Sequence, residues 1–181
     1  MNDLILSIYL YFARFPKFDS LLKTFNKGTS TFAGYAAFKS SVTGLAINNL
    51  VPGIEDYVFG VNEKRIRKRI DTIGGYYLLV DYGNIEAVFS SQTGNTKNYF
   101  NIAVTVAHPV NADKMDDADE ILISNQCLNY LKQIKDRIKT DDRETLIKNL
   151  NSNYDAVPFV APELNGSIGW TITLTHEGVL L

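Results

Sequence analysis

YFNIAVTVA, residues Tyr99–Ala107, alternates without a break. Phe100, Ile102, Val104 and Val106 fall on one face, and Asn101, Ala103, Thr105 and Ala107 on the other. Side chains of a strand point to opposite faces at successive residues, so this spacing predicts a half-buried β-strand that Pro109 closes. IGWTITLTH, residues Ile168–His176, repeats the pattern, with Ile168, Trp170, Ile172 and Leu174 against Thr171, Thr173 and Thr175. Two strands of matching period at this separation are natural neighbours in one sheet.

Working outward, YYLLVDYGNIEAVF reads as two further strands, Tyr76–Tyr82 and Ile85–Ser90. Asp81-Tyr82-Gly83-Asn84 would join them, since Gly and Asn tolerate the backbone angles of tight hairpin turns. The polar run Ser91–Asn98 makes the next turn. Met115–Lys139 reads as one long helix. Asp113, Asp116, Asp117, Asp119 and Glu120 stand at its start and Lys132, Lys135, Arg137 and Lys139 near its end, both complementing the helix dipole. Leu128, Leu131, Ile134 and Ile138 form an apolar stripe, and the wider apolar arc of Ile121–Ile123 implies deeper burial of the first turns. A shorter helix is expected over 142–150. Pro158 and Pro162 keep Val157–Leu164 extended.

The fold class is therefore α+β: a mostly antiparallel four-stranded sheet packed on one long helix. Trp170, Ile172, Ile102, Val104, Leu128 and Leu131 should be buried together. This core domain is assigned to residues 61–181, and residues 1–60 to a mainly helical and irregular extension. There, Leu4, Ile5, Ile8, Tyr9 and Phe12 form one helical face that Pro16 ends. Asp19 is placed to cap a second short helix carrying Leu21, Leu22 and Phe25, stopped at Gly28. The Ala-, Ser-, Thr- and Gly-rich stretch after it shows no period and reads as loosely packed, ordered mainly by partners.

Composition narrows the functional classes. The 181 residues are 45% hydrophobic and 21% charged, an ordinary globular balance. A formal net charge of -2 gives no global pull toward nucleic acid or anionic membrane. The single cysteine, Cys127, allows no internal disulfide and no paired-cysteine zinc site, which fits a reducing compartment. The apolar start has Asp3 where a signal peptide carries basic residues, and it is too short to span a bilayer.

Catalytic patterns are missing. His108 and His176 each follow the apolar face of a strand; antiparallel pairing would send them to opposite ends, and parallel pairing would let them approach. Cys127 lies mid-helix near the apolar stripe and reads as a buried thiol. Nothing in the sequence brings Asp81 and Glu163 together as paired carboxylates, and no phosphate-loop pattern occurs. We expect no enzymatic activity, cofactor or metal.

Residues 1–60, apolar and aromatic without one consistent period, are expected to bind a neighbouring subunit, and two further segments stand out as interaction surfaces. Lys64, Arg65, Arg67, Lys68 and Arg69 are interleaved with Ile66, Ile70 and Ile73 at helical spacing, predicting a short helix with a basic outer face ended by Gly74-Gly75. That face fits phosphate contact, or a solvated surface paired with Glu55, Asp56, Glu63 or Asp71. Pro158, Phe159 and Pro162 mark the second segment, extended and apolar, suited to docking on another surface.

The order of three strands, a long helix and a closing strand, on a chain without catalytic residues, resembles the tail-terminator and head-to-tail joining proteins of tailed bacteriophages. The texture is also similar to structural proteins of the crAss-like phages of Bacteroidetes. YYLLVDYGNIEAVF, YFNIAVTVAHP, DDADEILISNQCLNYLKQIKDRI and GSIGWTITLTHEG carry the likeness, over about residues 70–178. It implies a ring-forming virion protein at the neck or tail, assembled in the host cytoplasm, or a cytoplasmic protein if the chain is not viral. Partners would be copies of itself or other neck and tail proteins. DNA could pass the basic run in a ring lumen, and no membrane or small molecule is implied. The alternative is a small-molecule or nucleic-acid binding module, or an unrecognised enzyme, on an α+β sandwich.

Overall fold

The computed structural model describes residues 4–46, 48–89, 96–111, 113–141, 150–151 and 155–177. Helices α1 (Leu4–Phe12), α2 (Phe18–Leu22) and α3 (Tyr35–Thr43) precede strand β1 (Asp56–Phe59), with one 3₁₀ turn at Lys23–Phe25. Helix α4 (Glu63–Ile70) leads to β2 (Tyr77–Phe89), β3 (Thr96–His108), helix α5 (Asp117–Asp141), and strands β4 (Leu150–Asn151), β5 (Val157–Ala161) and β6 (Ser167–Glu177).

The fold is α+β, but the sheet is mixed and six-stranded, where the sequence predicts four mostly antiparallel strands. Its order is β1-β2-β3-β6, with β4 and β5 both lying along the far side of β6. β3 and β6 pair antiparallel from Tyr99 opposite Glu177 to His108 opposite Ile168, with Val104 opposite Ile172 and Val106 opposite Trp170. Gly169 allows this closeness, since a Cβ there would collide with the Val106 carbonyl oxygen. β1 runs parallel to β2, with Asp56 opposite Tyr77, so β1–α4–β2 is a crossover unit.

The hairpin expected at residues 81–84 does not form. β2 continues through them and pairs with β3 on both sides, and the register shifts between Tyr82 and Ile85. Gly83 and Asn84 together oppose Asn101, the two-against-one count of a β-bulge. Their turn chemistry is used for a bend because β3 is long enough to keep pairing beyond it. The helix expected over 142–150 lies outside the described residues, except Leu150, which opens β4. Most of the predicted turn at Ser91–Asn98 also lies outside them.

Alternation sends β-strand side chains to two separate cores. On one face Leu78, Val80, Ile102, Val104, Ile172 and Leu174 pack with Cys127, Leu131, Ile134 and Ile138 of α5. The same cluster takes in Ile8, Tyr9, Phe12, Phe15, Leu21 and Ile54. The stretch before β1 is thus built into the sheet's main core, although Thr29–Gly34 is exposed. On the other face Tyr77, Leu79 and Ala107 pack with Ile66 and Ile70 of α4, and with Ala161 and Leu164.

Two core assignments change. Leu128 is 36% exposed and Trp170 only partly buried, its indole N–H donating to Ser124 Oγ at 3.1 Å. The first turns of α5 are not deeply buried, for Ile121 and Leu122 are 69% and 65% exposed and only Ile123 turns inward. This end is fixed by a reciprocal cap, in which Asp119 N–H donates to Asp116 Oδ1 and Asp116 N–H to Asp119 Oδ2. At the other short helix, Asp19 sits in the first turn of α2 and Lys17 takes the cap position. Gly28 follows with φ +73°, the left-handed stop expected of it.

Candidate functional site

Helix α4 forms on the charge run but ends at Ile70, short of the Gly74-Gly75 stop the sequence predicts. The Asn62 side chain caps it, accepting from Arg65 N–H at 3.0 Å. Ile66, Ile70 and Ile73 are buried against the sheet, which turns the basic residues outward.

Those five cations have different surroundings. Arg69 donates to Asp56 Oδ1, and Lys23 holds the other oxygen of that carboxylate at 2.6 Å. Asp56 is only 5% exposed, so this pairing neutralises a buried charge. Arg67 Nε donates to the Glu163 carbonyl at 2.7 Å and ties α4 to the turn between β5 and β6. Lys64, Arg65 and Lys68 are exposed and pair with no carboxylate among the described residues. The run is therefore partly structural, as the pairing alternative has it for Arg69, and partly open.

Beside α4 lies a cavity of about 300 Å³, at the carboxyl end of β1. Lys23, Arg65 and Arg69 line it, together with Phe59, Tyr82 and the turn Gly60–Asn62. The Phe59 and Tyr82 rings stand 5.2 Å apart at 34°. Sequence reasoning missed Lys23, Phe59 and Tyr82 as site residues. No local pattern marks them, because only the parallel β1–β2 pairing and the docking of the 3₁₀ turn bring them to Arg65.

The second candidate segment is a strand only as far as Ala161, and residues 162–164, expected to run extended, form a turn instead. β5 pairs antiparallel with β6, Pro158 opposite Trp170 and Phe159 opposite Gly169. Phe159 is half-buried against the α4-side core, while Pro158 and Pro162 are exposed. Val157 and Val160 are 52% and 70% exposed. Among the described residues no strand pairs with the outer edge of β5. Pro158 lacks an N–H and suits such an edge. The Arg67–Glu163 contact places the two predicted segments side by side.

The remaining candidates do not converge. His108 stands opposite Ile168 and His176 opposite Phe100, at the two ends of the β3–β6 pair. His108 Nδ1 lies 2.6 Å from the Pro109 carbonyl, and its ring meets Tyr76 at 4.7 Å. His176 Nδ1 is buried without a hydrogen-bond partner. Burial pushes both imidazoles below their ordinary range. Burial also pushes the Cys127 thiol up to about 12, which leaves it protonated and unreactive near neutrality. Asp81 is level with Ala103 on β2, while Glu163 lies in the turn beyond Ala161, so the two carboxylates are far apart along the sheet. Among the described residues no three His, Cys, Asp or Glu side chains group to hold a metal ion. No helix among them is long and apolar enough to cross a membrane.

Compared with family models, curated proteins and solved structures, the chain matches none.

Proposed function

We propose that this chain is a non-catalytic virion subunit that forms or joins a ring at the neck or tail of a tailed bacteriophage. The observation that carries the reading is the uncovered leading end of α5, where Ile121 and Leu122 face water. Covering an aliphatic side chain of this size gains about 1.5–3 kcal/mol, so a neighbouring molecule has something to bind. The edge of β5, with Val157 and Val160, offers a second such surface.

Charge supports a head-to-tail contact between copies. Asp113, Asp116, Asp117, Asp119 and Glu120 surround the exposed pair on α5 and are themselves exposed. Lys64 and Lys68 lie on α4, across the sheet from α5. Unlike surfaces on opposite faces of one subunit make heterologous contacts, which close into rings when the rotation permits.

Light scattering coupled to size-exclusion chromatography tests this on the full chain. The expected result is a closed oligomer larger than a dimer, or a smaller species that assembles with neck or tail proteins. A monomer that stays monomeric at about 100 μM, where contacts of even modest affinity form, and that binds no such protein, would refute the reading. If α4 also faces DNA in a lumen, duplex binding should fall steeply with added salt.

A further inference from the structure

The cavity beside α4 is lined by three cations and no carboxylate. Asp56 stands outside that lining, behind Lys23 and Arg69, which share its single negative charge. Arg65 adds a third positive charge with no described partner. The local surplus is two positive charges, about the charge of a phosphomonoester at neutral pH.

Geometry adds to the charge. Arg65 and Arg69 are four residues apart on α4 and so lie on one face of it. Lys64 and Lys68 occupy the adjacent row, free for the subunit contact argued above. The cavity sits where the chain leaves β1 and enters α4, with Gly60 at φ +138° in the connecting turn. Backbone N–H groups at a helix start add positive character there. The Phe59 and Tyr82 rings border the same space, and about 300 Å³ is at the lower end of small-ligand sites.

We propose that this cavity binds a phosphomonoester carrying a flat ring, of the nucleoside monophosphate class. Lys23, Arg65 and Arg69 hold the phosphate, and the ring rests against the paired Phe59 and Tyr82. Neither a phosphate-loop pattern nor the family resemblance implies such a ligand. The site is assembled by contacts between distant segments, and the assembly role does not depend on it.

Titration calorimetry at low salt on the full chain tests the site with AMP, inorganic phosphate and adenosine as probes. AMP should bind, with phosphate weaker and adenosine weaker by about tenfold or more, the worth of one charge-assisted contact. Arg65→Gln should weaken AMP by about tenfold or more. Arg65 is exposed and bears no structural load, so its variant should melt like the parent. Lys23 and Arg69 are left intact because both neutralise buried Asp56. AMP that fails to saturate the parent at about 10 mM, or binds Arg65→Gln equally well, overturns the site. Inorganic phosphate binding as tightly as AMP overturns the role of the ring. A duplex oligonucleotide that binds through Arg65 while AMP does not overturns the small-ligand assignment.

Discussion

The Tyr11 hydroxyl donates to Asp141 Oδ2 at 3.2 Å, across 130 residues of chain. Arg14 reaches the same oxygen at 3.2 Å, and Arg137 donates to it at 3.0 Å from one turn earlier in α5. The end of α1, the turn after it and the last turn of α5 are thus fastened by one largely buried carboxylate. Asp141→Ala leaves the two guanidinium groups and the phenol without their acceptor and should cost about 2–3 kcal/mol. Tyr11→Phe removes one hydrogen bond and should cost about 1 kcal/mol. Because the two residues share the interaction, the double variant should lose less than the sum. Urea denaturation of the four proteins checks this, and strictly additive losses would count against the coupling.

Leu131 and Leu128 separate a true core position from its neighbour. Leu131 is 1% exposed, and Leu131→Ala should cost about 2–5 kcal/mol through the cavity it leaves. Leu128 is 36% exposed, so Leu128→Ala should cost under about 1 kcal/mol. Equal melting of the two variants would mean that α5 is rotated from the orientation described.

That pair also shows what the sequence carried and what it did not. The period of α5 is legible, and Leu131, Ile134 and Ile138 sit inward as the stripe requires. Its phase is less so, because Ile121, Leu122 and Leu128 are equally apolar but face water. Composition cannot tell a side chain covered by its own sheet from one left for a partner. β3 and β6 were legible because one strong alternation each fixes their faces. β1 and β5 were not, since strands of four and five residues carry too little pattern, and Pro158 argues against a strand except at an edge. The basic helix was plain, but the cavity beside it depends on Lys23 and Tyr82, which only tertiary pairing brings near.

Histidine burial sets a pH dependence. His108 and His176 both titrate below their ordinary value of 6.5, because burial disfavours the charged ring. The unfolded chain then binds protons more readily than the folded one as pH falls. Their stabilising effect is present above pH 6.5 and is lost as pH drops through that value toward the lowered ones. Asp81 is raised above its ordinary 3.8 by burial and acts with the opposite sign. Stability measured by denaturant should therefore decline between pH 7.5 and 5.5, and a His108→Gln, His176→Gln double variant should show a flatter profile. A parent profile that rises on acidification across this range would contradict the sign.

The last prediction separates surface from core at the two exposed apolar sites. Val160 is 70% exposed on β5 and Ile121 is 69% exposed on α5, so neither contributes much to the fold of a single subunit. Val160→Lys and Ile121→Lys should change unfolding stability, compared under conditions where the subunit is dispersed, by no more than about 0.5 kcal/mol. If the sites dock against neighbours, each substitution buries a lysine ammonium or forces the surfaces apart. Either outcome removes an apolar contact and adds a desolvation cost. Light scattering should then show smaller assemblies, with Ile121→Lys the stronger effect, because its acidic surroundings also lose net negative charge against the α4 lysines of the next copy. Raising salt should weaken a contact steered by those charges more than one at β5, where Val157 and Val160 are not flanked by a charge cluster. Assemblies unchanged by both substitutions would place the subunit contact elsewhere, whereas a fall in stability without a change in mass would mean that these residues serve the fold.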